Sequence, residues 1–221
     1  MNSFSHGNIL ATEMSEGLRE RKKRRTRATI AQAAMQLFAQ RGFDAVTVAD
    51  VAQAADVSEK TVFNHFPSKE DLFFEGGAER RAALIEAVRS RPAGSSVVEP
   101  FRRTTAALLD VVEHGPAEGI INLPRLVMES RALRERLFLA WEQEAAEVTP
   151  VIAEAAGEPE DSIAAASVAR TLSWTHRLVF RAAVRRLMAG EDSAAVAAEL
   201  RDEARRTYDL LERGLAGYGS R

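Results

Sequence analysis

Apolar residues recur at steps of three and four along most of this chain, which is the spacing with which an α-helix buries one face. Residues 19–40 are the first such segment, and their stripe consists of Ile30, Ala33, Ala34, Leu37 and Phe38. Gly42 is predicted to end this helix, because glycine readily adopts the left-handed conformation that follows a last helical turn. Residues 1–18 show no periodicity and are predicted to form a disordered tail.

Two short helices joined by a tight turn are predicted within residues 47–66. Thr47 would begin the first helix, with Asp50 completing a capping box. Ser58 would begin the second helix as its N-cap, and Pro67 would stop it. The first helix would bury Val48, Val51, Ala52 and Ala55, and the second carries Val62, Phe63 and Phe66. Ala52, Val57 and Val62 would brace the pair around the turn.

Helical patterns continue to the end of the chain. A fourth helix is predicted over residues 69–89, and the clearest loop, RPAGSS, follows it. Five further helices are predicted at residues 98–113, 119–127, 132–156, 162–189 and 194–216. No segment shows the strict alternation of apolar and polar residues that marks a strand. We therefore expect an all-α fold of about nine helices.

The distribution of charge singles out the N-terminal part of the chain. The net charge of the whole chain is -2, but residues 19–70 hold 10 Lys or Arg against 6 Asp or Glu, including all four lysines. A basic module on a mildly acidic body is expected when only one part of a protein meets phosphate. The basic run RERKKRRTR, residues 19–27, directly precedes the two short helices.

Several classes of chemistry find no support in the sequence. The chain has no cysteine, so we expect no disulfide, thiolate metal site or cysteine nucleophile. No pair of its four histidines has metal-ligand spacing, and neither a Gly-rich phosphate loop nor a serine elbow is present. We therefore expect no catalytic residues, metal or cofactor. Neither a signal peptide nor an apolar stretch of ~18 residues occurs, so a cytoplasmic protein is expected.

A pair of short helices beside dense positive charge is typical of a helix-turn-helix DNA-binding module. Its second helix would enter the major groove with the polar face that lies opposite Val62 and Phe66. On this face Asn64 can pair with adenine, Lys60 can donate to guanine and Glu59 can accept from cytosine. The candidate DNA-binding residues are Arg24, Arg25, Thr47, Ser58, Glu59, Lys60, Thr61, Phe63, Asn64, His65 and Lys69.

Many residues of this segment also match a known family in order and spacing. They are Ile30, Ala33, Leu37, Phe38, Arg41, Gly42, Phe43, Thr47, Val48, Val51, Ala52, Ala55, Val57, Ser58, Thr61, Val62, Phe63, His65, Phe66, Lys69, Glu70 and Leu72. Through them, residues 24–84 resemble the N-terminal domain of the TetR family of transcriptional repressors. The resemblance implies a three-helix helix-turn-helix domain over residues 19–84, with its core motif at 47–66. It also implies that residues 58–66 read the groove and that Thr47, Thr61, His65 and Lys69 contact phosphates.

Two positions depart from the family pattern. Phe63 stands where the family usually has tyrosine, so it keeps the packing but loses a hydroxyl that could reach a phosphate. Asp56 stands where glycine is usual in the turn. Because aspartate tolerates the left-handed conformation better than most residues, we expect the turn to be kept.

By the same resemblance, residues 85–221 would form a ligand-binding and dimerisation domain. The last two helices, 162–189 and 194–216, would pack against their copies in a second subunit. Their candidate seam positions are Leu172, Val179, Ala183 and Leu187 on the first, and Val196, Leu200, Ala204 and Leu211 on the second. The same residues can instead face the chain's own core, and both interpretations stay open.

A small apolar or amphipathic effector is expected to bind among the helices between residues 98 and 189. The candidate ligand contacts are His114, Arg125, Trp141, Trp174, His176 and Arg177, each of which can alternatively be a core or surface residue. The expected function is that of a homodimeric repressor that binds a palindromic operator in double-stranded DNA and makes no membrane contact. The effector would release it by favouring a conformer in which the helix 69–89 pivots.

Two alternatives remain at this point. One is a ligand-responsive activator with the same fold. The other is a helical small-molecule-binding protein or enzyme that does not read DNA. The second would need a catalytic constellation, and the sequence shows none.

Overall fold

The computed structural model describes residues 6–215, with side chains described from Arg19 onward except at Glu118. In this range the chain is helical and has no strand. Its ten helices are α1 (His6–Arg41), α2 (Val48–Ala54), α3 (Glu59–His65), α4 (Lys69–Phe73), α5 (Gly77–Arg89), α6 (Val98–His114), α7 (Ala117–Glu129), α8 (Arg131–Ala156), α9 (Ile163–Met188) and α10 (Ser193–Gly214). The predicted all-α fold is confirmed, and so are the capped starts of α2 and α3 at Thr47 and Ser58.

The single helix predicted over residues 69–89 is wrong, and two helices stand in its place. α4 ends at Phe73, and α5 begins at Gly77. Between them Gly76 has a φ of 76°, which lies in the left-handed region that glycine enters at little cost. The pair Gly76–Gly77 was visible as a helix-breaking signal. This break accounts for ten helices in the described residues instead of about nine.

The first helix also differs from its prediction, because it begins at His6 and so takes in residues that were predicted as part of a disordered tail. The segment from residue 9 to residue 16, ILATEMSE, holds Leu, Ala, Met and two Glu, which have high helix propensity, and it has no proline. Residues 1–5 of the predicted tail lie outside the described range.

The chain divides into two compact units, Met1–Glu75 and Gly76–Arg221. The division falls at the break before α5, whereas the sequence analysis placed the domain boundary after residue 84. The N-terminal unit packs α1 to α4 around fully buried apolar side chains, which include Ile30, Phe38, Val51, Val62, Phe66 and Leu72. Phe38, Phe43 and Phe73 form an aromatic cluster with ring centroids 4.9–6.4 Å apart.

The C-terminal unit has one continuous apolar core, built mainly by α6, α8, α9 and α10. This core contains seven of the eight positions considered for a dimer seam: Leu172, Val179, Ala183, Leu187, Val196, Leu200 and Ala204. The eighth, Leu211, is half-buried and packs against the same core. The interpretation as core positions of the chain itself is therefore the correct one. The large apolar residues that these two helices leave exposed are Ile163, Trp174, Leu178 and Met188 on α9, and Leu210 on α10.

The turn between α2 and α3 is closed by Asp56, whose φ of 54° makes it the one non-glycine residue with a positive φ in the described part of the chain. Its backbone N–H donates to the carbonyl of Gln53 at 3.2 Å, and Val57 N–H donates to Ala52 at 2.9 Å. Aspartate therefore holds the left-handed conformation for which the family usually has glycine.

We expect two substitutions at Asp56 to have opposite effects. Asp56→Gly should raise the free energy of unfolding by up to ~1 kcal/mol, because glycine enters the left-handed region without steric cost. Asp56→Val should lower it by about 1–2 kcal/mol, since a β-branched residue is strained there. Urea denaturation of both variants tests this, and equal stability of the two would show that the turn relaxes to another conformation.

Candidate functional site

The reading helix α3 is held in place by its inner face and its cap. The Ser58 side chain accepts a hydrogen bond from the Thr61 N–H at 3.1 Å, and the two hydroxyls lie 2.8 Å apart. Val62 and Phe66 are almost completely buried in the N-terminal unit. The hydroxyls of Ser58 and Thr61, both candidate DNA contacts, therefore already serve the start of the helix.

The outer face of α3 carries exposed side chains with different chemistry. Glu59, Lys60 and Asn64 are exposed, and their side chains make no hydrogen bond within the described residues. Phe63 is 50% exposed, so it is not part of the core although it is a large apolar residue. The face that the sequence predicted for base contacts is thus free to meet a ligand. Its contacts with DNA stay a prediction.

Thr47 lies at the start of α2 within a capping box that the sequence analysis predicted. Its N–H donates to Asp50 Oδ2 at 2.8 Å, its hydroxyl donates to the same oxygen at 2.6 Å, and Asp50 N–H returns a bond to Thr47 Oγ1 at 3.1 Å. The Thr47 hydroxyl lowers the pKa of Asp50 to about 2, with the Thr47 N–H and Arg41 acting in the same direction. Thr47 therefore stabilises a carboxylate charge at the point where it was predicted to contact phosphate.

Lys69 makes contacts inside the N-terminal unit that its proposed role in phosphate binding does not require. Its ammonium group donates to the carbonyls of Phe43 and Val46 at 3.1 and 3.0 Å, and it lies 4.2 Å from the centroid of the Phe43 ring. These contacts tie the start of α4 to the loop that precedes Thr47. Since an ammonium group has three donors, one remains for a phosphate.

Lys69→Met should lower the stability of the DNA-free protein, because it removes two hydrogen bonds from a charged donor while keeping an apolar stem of similar length. We expect the free energy of unfolding to fall by about 1–2 kcal/mol, measured by urea denaturation. Lys60→Met is the matched control, since Lys60 is exposed and has no hydrogen bond within the described residues. If both variants unfold alike, Lys69 has no structural role.

His65 ends α3 and is half-buried, with a buried Nδ1 that has no hydrogen-bond partner within the described residues. Burial lowers the pKa of His65, and the charges of Arg27 and Lys23 act in the same direction. The imidazole is therefore neutral at physiological pH. A neutral imidazole retains one N–H donor for the predicted phosphate contact.

The basic run on α1 divides into an outward and an inward part. Arg24 and Arg25 are exposed, as their predicted role in DNA binding requires. An open groove of about 580 Å³ runs along this side of the unit, lined by Arg21, Lys22, Arg25, Thr26, Thr29, Ala55 and Val57. Its cations and hydroxyls suit an anionic partner such as a phosphate backbone.

Arg27 points the other way. Its Nε and Nη2 donate to the two carboxylate oxygens of Glu75 at 2.8 and 2.5 Å, and its Nη1 donates to the carbonyl of His65. Its guanidinium also lies 4.1 Å from the centroid of the Phe66 ring. The sequence placed Arg27 only within the basic run and did not single out Glu75, because nothing in the spacing of the two residues shows that they pair.

Four of the six candidate ligand contacts lie close together in the C-terminal unit. Trp141 on α8 and Trp174 on α9 form an edge-to-face pair with ring centroids 5.5 Å apart. The Arg177 guanidinium lies 5.0 Å from the Trp141 ring centroid and pairs with Glu144 at 2.9 Å. His176 Nδ1 lies 3.0 Å from the Thr105 hydroxyl, which in turn bonds the buried Tyr208 hydroxyl at 2.8 Å.

The other two candidates do not join this cluster. His114 is exposed at the end of α6, and its Nδ1 lies 3.0 Å from the carbonyl of Asp110 on the same helix. Arg125 is exposed on α7 and faces Glu129 at 4.0 Å. A residue that the sequence analysis overlooked does lie one turn before His176. Ser173 is buried, and its hydroxyl has no hydrogen-bond partner within the described residues.

Burial lowers the pKa of His176; the carboxylate of Glu144 opposes the shift and the charge of Arg177 adds to it. The unfolded chain therefore binds a proton at this residue at a higher pH than the folded chain does. The stability that follows from this difference is present above pH ~6.5 and is lost as the pH falls below it. His65 contributes in the same direction.

We expect the free energy of unfolding of the wild-type protein to fall between pH 7 and pH 5, and His176→Asn to make this fall shallower. Asparagine can replace Nδ1 as a partner for Thr105 but does not titrate. His114→Asn, at an exposed position, is the control and should keep the wild-type dependence. Denaturant titrations at several pH values provide the measurement, and an unchanged slope in His176→Asn would contradict the assigned shift.

Over the described part of the chain no three His, Asp or Glu side chains are grouped so that they could hold a metal ion. No helix between His6 and Gly214 combines the length and apolar character needed to cross a membrane.

The N-terminal unit is similar to a known protein family. Residues 30–75 match the model of the family described as bacterial regulatory proteins, tetR family. The HTH-type transcriptional regulator TcmR of Streptomyces glaucescens is 34% identical over 110 residues, which are 50% of this chain and 49% of TcmR. The chain thus spans about half the length of this curated relative.

Solved structures show the same fold over most of the chain. NalD of Pseudomonas aeruginosa, described as the secondary repressor of the MexAB-OprM multidrug efflux pump, has a TM-score of 0.56 and 18% identity, covering 83% of this chain and 96% of NalD. FadR of Bacillus subtilis in complex with stearoyl-CoA has a TM-score of 0.51 and 16% identity, covering 80% of this chain and 96% of FadR. At these identities the likeness concerns the fold alone.

Proposed function

We propose that this chain, because it belongs to the TetR family of bacterial transcriptional regulators, is a homodimeric repressor that a small molecule releases from its operator. Membership in this family makes it a regulator rather than an enzyme. The observation that carries the proposal is the division of α3 into a buried inner face and an outer face of free polar side chains. Since its target would be bacterial DNA, the protein would act in the cytoplasm.

DNA reading in this proposal uses two surfaces of the N-terminal unit. The exposed side chains Glu59, Lys60 and Asn64 would contact base edges in the major groove. The basic groove lined by Arg21, Lys22 and Arg25 would contact the phosphate backbone and fix the position of α3 on the duplex. A dimer would place two copies of α3 about one helical turn apart, ~34–36 Å, and this favours a palindromic operator.

The dimer would form through α9 and α10, but not through the positions that the sequence analysis considered. Those positions fill the chain's own core. Exposed apolar residues of these helices outside the tryptophan pair support a different seam, because Leu178 is 49% exposed on α9 and Leu210 is 62% exposed on α10. Such residues are expected where a second surface covers them.

The effector would bind near the cluster of Trp141, Trp174, His176 and Arg177. Two indole rings provide apolar surface, while the imidazole and the guanidinium provide donors for a polar group, so an amphipathic molecule suits the site. The stearoyl-CoA of FadR is such a molecule, although that protein shares only the fold. The effector would act through its higher affinity for the conformer that does not fit the operator.

The break at Gly76 changes how release would occur. A single rigid helix over residues 69–89 could have pivoted as one body, but α4 and α5 are separate helices. In this proposal, a change of backbone conformation at Gly76 would accompany release.

An activator with the same fold differs from a repressor only in what DNA binding does to transcription. The choice of a repressor follows the resemblance of residues 24–84 to the TetR family of transcriptional repressors. Transcription from the bound promoter with and without the protein separates the two.

The wild-type protein should bind a palindrome in the DNA upstream of its own gene far more tightly than bulk DNA, and Asn64→Ala should relax its preference at one base pair of each half-site. Losing one bidentate base contact removes about 1–3 kcal/mol of discrimination, or roughly a 5- to 150-fold difference between bases. Gel shifts with single-base operator variants provide the measurement. Gln143→Ala, an exposed amide on α8, is the control and should bind as wild type does.

No preference of the wild type over bulk DNA would rule out the proposed function. An unchanged base preference of Asn64→Ala would remove Asn64 from the readout while leaving the function in place.

A further inference from the structure

We propose that Arg27 and Glu75 together act as positioning residues for the reading helix, and that Glu75 links the Gly76 junction to the end of that helix. This inference rests on the proposed DNA-reading role of α3. In this proposal Arg27, although it belongs to the basic run, positions α3 and does not bind phosphate. Its partner Glu75 lies 48 residues further along the chain.

The end of α3 needs a hydrogen-bond partner from outside the helix. The helix has only seven residues, from Glu59 to His65, and although the Val62 carbonyl accepts from the Phe66 N–H, the carbonyl of His65 has no partner within the helix. Pro67 follows and has no N–H, so the next turn of the chain has one donor fewer to offer. The Arg27 Nη1 donates to the carbonyl of His65 and satisfies it. A cation at this end also interacts favourably with the helix dipole.

The orientation of the Arg27 side chain is fixed by its partners. Three of its five N–H donors are used within the N-terminal unit, two by Glu75 and one by His65. Its planar face packs on Phe66, whose side chain is fully buried. A guanidinium with this set of partners is fixed in orientation, unlike the exposed cations at Arg24 and Arg25.

Glu75 holds Arg27 in place. Glu75 accepts both of its bonds side by side, and this bidentate geometry fixes the guanidinium plane as well as its position. Glu75 is the last residue of the N-terminal unit, and Gly76 follows it with a φ of 76°. A backbone change at Gly76 therefore moves Glu75 directly. Through Arg27 this change reaches the last turn of α3.

Without the carboxylate, the Arg27 charge would no longer be balanced where it lies, next to the carbonyl of His65 and the ring of Phe66. The guanidinium would then gain more from water or from a phosphate than from its present position. The end of α3 would lose its partner, and the helix would sample other orientations. The expected result is a loss of specific DNA binding in particular, because base contacts depend on orientation more than phosphate contacts do.

Glu75→Gln tests this, since it removes the charge and keeps the shape of the side chain. We expect operator binding to weaken by about 10-fold, which corresponds to ~1.4 kcal/mol. Binding to non-specific DNA should change by less than about 2-fold, and the salt dependence of operator binding should stay the same, because no phosphate contact is lost. Fluorescence anisotropy with operator and scrambled duplexes at several salt concentrations provides these values.

A second arm needs no DNA. Hydrogen exchange of the amides of Val62 and Phe66, which bond the carbonyls of Ser58 and Val62 at 3.1 and 2.8 Å, should be faster in Glu75→Gln than in wild type. Arg27→Lys, which keeps the charge but loses the bidentate geometry, should behave like Glu75→Gln, and the double variant should be no worse than either. Glu135→Gln removes a carboxylate from an exposed ion pair with Arg131 on α8 and should match wild type in every respect.

Three outcomes would overturn the inference. Unchanged operator binding of Glu75→Gln would show that the pair does not position α3, and tighter binding would show that Glu75 restrains Arg27 from contacting phosphate. An equal loss on both duplexes in Arg27→Lys, with a lower salt dependence, would make Arg27 a phosphate contact. A lower melting temperature with unchanged exchange in α3 would reduce the pair to general stabilisation. If the wild type itself does not prefer the operator, the proposed function fails instead, and the exchange arm still decides whether Glu75 holds the end of α3.

Discussion

A seven-residue helix is too short to be stable by its own hydrogen bonds, and the contacts around α3 compensate for this. Tertiary contacts must supply what helix length does not. Ser58 caps the beginning of α3, Val62 and Phe66 anchor its inner face, and Arg27 binds the carbonyl of its last residue. Contacts at both ends and along one face leave only the outer face of the helix free.

This arrangement separates the residues that hold the reading helix from those proposed to read DNA. The reading helix is anchored by hydroxyl groups, by apolar side chains and by the inward-pointing Arg27. Reading would use side chains that have no other partner, such as Lys60 and Asn64, so DNA preference can change without loss of the fold. Lys69 has a similar anchoring role for α2, because it donates to two backbone carbonyls in the loop before Thr47.

Local patterns predicted most of the fold. Helical periodicity and capping residues located nearly all the helices, and the capping box at Thr47 and Asp50 is present as predicted. Contacts between distant positions could not be predicted in the same way. The pairing of Arg27 with Glu75 spans 48 residues, and the seam positions on α9 and α10 have the same spacing whether they face a partner or the chain's own core. The break at Gly76 was visible as a glycine pair, but the apolar pattern continued across it.

The central claim is that the outer face of α3 contacts the bases of the operator, and the side-chain amide of Asn64 reports on this directly. An NMR titration of labelled protein with operator DNA should shift the Asn64 side-chain amide signals, whereas a scrambled duplex at the same salt concentration should not. The amide of Asn122 on α7 is the internal reference. Operator binding that leaves the Asn64 signals unchanged would contradict the account, because the protein would then read DNA with another surface.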